Sequence, residues 1–133
     1  MRELKFRAWK MHNGKLRRCV FSPFDILDYA HRHPEAPVMH NQDVNDIRDF
    51  IPDADVIEQF TGFKDKNGKE IYEGDIVDDG YSRICEIRWS EHFTALEAIN
   101  ENDGYASNIW FVAKYGEVIG NIHENPELLE KEK

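Results

Sequence analysis

VIEQFTGFKDKNGKEIYEGDIV, residues 56–77, reads as strand, turn and strand. Val56 to Phe63 is rich in β-branched and aromatic residues, which suit a pleated, half-buried surface. Asp65 to Gly68 then closes a turn, where Lys66, Asn67 and Gly68 supply the chemistry a reversal needs. Gly74 acts as a hinge before a second strand at Asp75 to Val77. Downstream, Tyr81 to Trp89 alternates Ile84, Glu86 and Arg88 against Cys85, Ile87 and Trp89, the period-two pattern of a strand with one buried face. Further strands are expected at Phe93 to Ile99, Ile109 to Ala113 and Glu117 to Ile122, with turns at Asn102 to Gly104 and at Tyr115 to Gly116. Six short strands so spaced suit a small barrel or roll.

Upstream, Leu4 to Trp9 sets Leu4, Phe6 and Ala8 against Lys5, Arg7 and Trp9, again one buried and one solvated face. Asn13 and Gly14 both accept positive φ, so the chain is expected to return as a hairpin through Leu16 to Phe21. Ser22 and Pro23 open a short helix that fades by His33, just before Pro34. Residues 33–55 read as an acidic loop with a weak helix built on Val44, Ile47, Phe50 and Ile51. Asn125, Pro126 and Glu127 to Leu129 predict a last helical turn. The chain therefore divides into a small N-terminal α+β lobe over residues 1–52, made of hairpin, helix and acidic loop, and a barrel-like unit over 53–133.

With 133 residues, 41% of them hydrophobic and 12% aromatic, the chain has the apolar content of one folded, mainly-β or α+β protein. No run of apolar residues is long enough to span a bilayer, and the N-terminus lacks a secretion signal, so a cytoplasmic protein with no membrane contact is expected. Cys19 and Cys85 stand 66 positions apart, without the paired spacing of a zinc or redox motif, and read as small buried hydrophobes. The net charge of -9 is unevenly spread. Seven cations against Glu3 alone leave the first 18 residues at +6, so the remaining 115 sum to -15. Such a surface repels nucleic acid and anionic membranes everywhere except at the hairpin.

Candidate chemistry is sparse. The order of KDKNGKEIYEGD, turn before strand, is not that of a phosphate loop, and its glycines serve turns. Glu73 and Asp75 flank Gly74 as acceptors for turn amides, with no partner group that would make them an acid/base pair. His31, His33 and His40, with Asp28, Glu35 and Asp43, are reasonable donors for zinc or manganese, but their spacing fits no helical metal motif, and helix-end capping is the plainer reading. No serine, threonine or cysteine has a nucleophile's context. The exposed basic residues Lys5, Arg7, Lys15, Arg17 and Arg18 form the candidate contact for nucleic acid or another anionic partner. Aromatic residues from Trp9 to Tyr115 supply core packing, an interface between subunits, or stacking surface.

Two segments, FTGFKDKNGKEIYEGDIV (Phe60 to Val77) and VIGNIHENPELL (Val118 to Leu129), together with RELKFRAW (Arg2 to Trp9), resemble the YopX family of phage and prophage proteins. The resemblance spans almost the whole chain. His123 stands where that family usually carries tyrosine. The resemblance implies an SH3-like C-terminal barrel, an N-terminal α+β part, and self-association into oligomers; it points to no particular activity, and no cofactor is expected. The expectation is a non-enzymatic phage or prophage accessory protein that forms a homo-oligomer and binds another macromolecule in the bacterial cytoplasm. Nucleic-acid binding by the basic hairpin and metal-dependent catalysis at His31, His33 and His40 are the alternatives.

Overall fold

A computed structural model describes residues 4–12, 14–22, 56–91 and 94–130. The chain separates into two compact units, Met1–Gln59 and Phe60–Lys133. The expected boundary at 52/53, the helix after Ser22 and the histidine group His31, His33 and His40 all lie outside the described residues.

In the first unit, β1 (Phe6–His12) and β2 (Lys15–Phe21) form the expected antiparallel hairpin, in register from Phe6 opposite Phe21 to His12 opposite Lys15. Gly14 takes φ +75° in the two-residue connection, which a side chain would disfavour. The Phe6 and Phe21 rings stack at 5.5 Å. The opening part of β3 (Val56–Lys64) pairs antiparallel with the other edge of β1, setting Glu58 opposite Arg7 and Val56 opposite Trp9. As the middle strand of three, β1 has neighbours on both sides. Ala8 on one face and Arg7 and Trp9 on the other are all buried, so the expectation of one solvated face for this strand is wrong.

The rest of β3 belongs to the second unit, where Phe60 pairs with Tyr72 of β4 (Glu70–Tyr72) across a register shift. Then come β5 (Asp75–Asp78), β6 (Ile84–Ser90), β7 (Ala95–Asn100), β8 (Tyr105–Asn108), α1 (Ile109–Tyr115), β9 (Glu117–Asn121) and α2 (Glu127–Glu130). Strands β5 to β9 make an antiparallel sheet in the order β8-β7-β6-β5-β9. The alternation read in β6 holds for Cys85 and Ile87, which point into a core with Ile71, Val77, Ala98, Ile109 and Val112, while Ile84, Glu86 and Arg88 face the other way; Trp89, expected on the buried face, is 51% exposed. The chain is mainly β, as expected.

One expected strand is a helix. Residues 109–113 are rich in β-favouring side chains, yet they form α1, because both ends are capped and one face is apolar. The Asn108 side chain accepts from the Phe111 amide at 2.9 Å, and the Gly116 amide donates to the Val112 carbonyl at 2.7 Å. Ile109 and Val112, three residues apart, are the two side chains it buries. Gly116 is thus a helix cap and not the expected turn. Strands β4 and β8 were not expected, and β6 starts at Ile84, three residues later than expected. That shift is due to Asp79, whose Oδ1 accepts the Tyr81 and Arg83 amides and holds residues 79–83 in a loop. The turns at Asp65 to Gly68 and Asn102 to Gly104 are found, with φ +85° at Gly68 and +72° at Gly104.

Candidate binding surfaces

The hairpin register sorts its basic residues by face, because residues directly opposite share a side of the sheet. Arg7, Trp9 and Arg18 fall on one face with Glu58; Lys10, Lys15 and Arg17 fall on the other. Lys5 lies just before β1 and is half-buried. Arg7 is not the exposed contact residue the alternation predicted. Its Nε donates to Glu58 Oε1 at 2.8 Å, with both side chains 4% exposed. Trp9 Nε1 donates to the same oxygen at 2.8 Å, and the Arg7 guanidinium stands 5.3 Å from the Trp9 ring. Arg18 reaches over that ring at 6.0 Å. The exposed pair on the opposite face is Lys15 and Arg17, with Lys10 directly across from Arg17.

In the second unit the prominent exposed surface is aromatic. Tyr81, from the loop that Asp79 holds, meets Phe111 and Tyr115 of α1 at ring distances of 5.1 and 5.9 Å. Phe111 and Tyr115, one helical turn apart, lie 5.0 Å from each other. The Lys114 ammonium sits between rings, 5.3 Å from Trp110 and 5.4 Å from Tyr115. Tyr81 and Trp110 each keep 55% of their surface in solvent. Reading residues 109–113 as a strand hid this cluster; the Phe111 and Tyr115 spacing, with Asn108 before and Gly116 after, was the sequence signal for it.

Buried carboxylates in this unit are engaged in holding backbone. Asp65 Oδ1 accepts the Asn67 and Lys69 amides, and its Oδ2 accepts Val118 N at 2.8 Å, tying the turn to β9. Asp75 Oδ2 accepts the Tyr72 amide, the role expected for an acid beside Gly74. The fully buried Asp79 uses Oδ1 for its loop, while its Oδ2 has no hydrogen-bond partner among the described residues. On the surface, Arg83 Nε donates to Asp103 Oδ2 at 3.1 Å. The Tyr105 amide and then Arg83 hold the Asp103 carboxyl below the usual aspartate range, and the bond to Asp103 raises Arg83. These arrangements build turns and loops. Cys85 is fully buried, as read, but Cys19 is only half-buried.

No helix among the described residues is long and apolar enough to cross a membrane. A family model described as YopX protein matches residues 5–130. A solved structure titled "Crystal structure of protein EF1440 from Enterococcus faecalis" aligns at 23% identity and a TM-score of 0.49, covering 97% of this chain and 99% of that one. No curated protein sequence matches the chain.

Proposed function

Since this chain belongs to the YopX family, we propose that it is a non-enzymatic accessory protein that self-associates and acts by binding another macromolecule. The observation that carries this reading is the ring cluster of Tyr81, Phe111 and Tyr115, with Trp110 joined to it through Lys114; Tyr81, Tyr115 and Trp110 are exposed and Phe111 is half-buried. Rigid aromatic side chains bury large area at low entropic cost, which makes such a cluster apt material for a subunit interface. The SH3-like form of the second unit and a phage or prophage origin, both from the family resemblance, belong to the same proposal, as does a cytoplasmic location. Light scattering of the purified chain tests it. A multimer whose mass falls in the Trp110→Glu and Tyr81→Glu variants is expected; a monomer at about 0.1 mM overturns the self-association.

A second reading is favoured by the hairpin register. Lys15 and Arg17, both exposed and on one face of the hairpin, offer neighbouring cations to an anionic partner. A labelled oligonucleotide should then bind with an affinity that falls steeply with salt. Lys15→Glu and Arg17→Glu should abolish it, whereas Arg18→Glu, on the Trp9 face, should not. Absence of binding at low salt removes this reading.

A further inference from the structure

Among the described residues β2 is an edge strand, paired with β1 on one side and with nothing on the other. The hairpin connection decides which of its backbone groups face outward. His12 and Lys15 close a two-residue loop and are therefore a bonded pair, and bonded and non-bonded pairs alternate along an antiparallel ladder. Lys15, Arg17 and Cys19 thus direct their N–H and C=O groups to β1, whereas Leu16, Arg18 and Val20 direct theirs away from it. The Val20 carbonyl meets the Cys19 thiol at 3.9 Å. This outer edge is accessible: Val20 keeps 47% of its surface in solvent, and Lys15, Arg17 and Arg18 are exposed. Outward amides and carbonyls at alternate residues are the template to which an extended chain adds as a further strand.

We propose that this edge receives an extended acidic segment of a partner protein as an antiparallel strand. Lys15, Arg17 and Arg18 fall within one short strand that carries no acid. Cations on an edge discourage pairing with a like strand. Here the antiparallel register that uses Leu16, Arg18 and Val20 together sets Arg18 directly against its own copy, which like-charge repulsion opposes. An acidic strand reverses the sign of that contact and keeps the backbone bonds. Arg18, exposed although its guanidinium reaches over the Trp9 ring, shares a face with Leu16 and Val20. The segment that fits therefore carries carboxylates opposite Arg17 and Arg18 and β-branched residues opposite Leu16 and Val20. It uses no residue of the ring cluster, so the Trp110→Glu and Tyr81→Glu variants that test self-association should bind it as the unaltered chain does.

The test is a titration of the isotopically labelled full chain with the blocked peptide Thr-Val-Thr-Glu-Glu-Val-Glu, read by amide NMR and hydrogen exchange. Antiparallel alignment places its first glutamate opposite Arg18 and its second opposite Arg17. Saturable binding with Kd below about 1 mM is expected, with slowed exchange at the amides of Leu16, Arg18 and Val20. N-methylation of the first glutamate, whose amide faces β2, should weaken binding at least about tenfold, whereas N-methylation of the second, whose amide faces away, should change it less than about threefold. Arg18→Glu should weaken peptide binding at least about tenfold while leaving any oligonucleotide contact at Lys15 and Arg17 intact. No saturable peptide binding, an oligonucleotide as the only ligand bound, equal losses from the two N-methylated peptides, unchanged exchange at the outward amides, or unchanged affinity in Arg18→Glu would each overturn the proposal.

Discussion

Glu58 Oε1 is a shared acceptor for Arg7 Nε and Trp9 Nε1, each at 2.8 Å, across two neighbouring strands. Removing this carboxylate leaves a buried guanidinium and a buried indole N–H without that acceptor. Glu58→Ala should cost about 3–5 kcal/mol, the range for one partner of a buried ion pair. Trp9→Phe, which leaves the pair intact, should cost less. Urea unfolding of the two variants checks the order, and a Glu58→Ala loss below that of Trp9→Phe would contradict it.

Asn108 caps α1 through a single side-chain bond to Phe111 N. Asn108→Ala should lower stability by about 0.5–2 kcal/mol. Asn108→Asp should retain most of it, since a carboxylate caps as well and suits the helix N-terminus. Denaturant midpoints of the three proteins measure both effects.

Gly68 and Gly80 have nearly the same φ, +85° and +87°, but different surroundings. A Cβ on Gly68 meets nothing within 4 Å, whereas one on Gly80 would stand 2.5 Å from the Tyr115 carbonyl oxygen. Gly68→Ala should therefore cost only the left-handed backbone penalty, about 1–2 kcal/mol. Gly80→Ala must also displace the end of α1 and should cost clearly more. Thermal unfolding of both variants under one buffer decides it.

Asp103 is held below the usual aspartate range by the Tyr105 amide and by Arg83. A folded pKa below the unfolded value of about 3.9 means that the carboxylate's contribution is complete above that pH and is lost as pH falls through the folded value. The Asp103 carboxyl carbon should titrate by NMR with a depressed midpoint. In Arg83→Gln the midpoint should rise only part of the way, because the Tyr105 amide remains. A midpoint at or above the ordinary value would refute the assignment. The pair is exposed, so little change in global stability is expected.

The hairpin of β1 and β2 and the turns at 65–68 and 102–104 were legible because their causes are local: Asn-Gly chemistry, positive φ at glycine, and strict alternation. Helix α1 was misread for the opposite reason, since Ile109, Trp110, Phe111 and Val112 favour strands by propensity while the caps and the packing of Ile109 and Val112 decide for helix. The aromatic cluster was hidden with it.

From the order of residues alone come the mainly-β character, the basic N-terminal segment in an acidic chain, the family, and the places where the chain must turn. Each is a property of neighbours along the chain or of the total. Only the tertiary structure decided that Arg7 is a buried partner of Glu58 and not a surface cation, because that pairing joins residues 51 positions apart. The Asn-Gly turn sets the register of β1 and β2, but the pairing of β1 with β3, which no local preference encodes, determined which charges are removed from water.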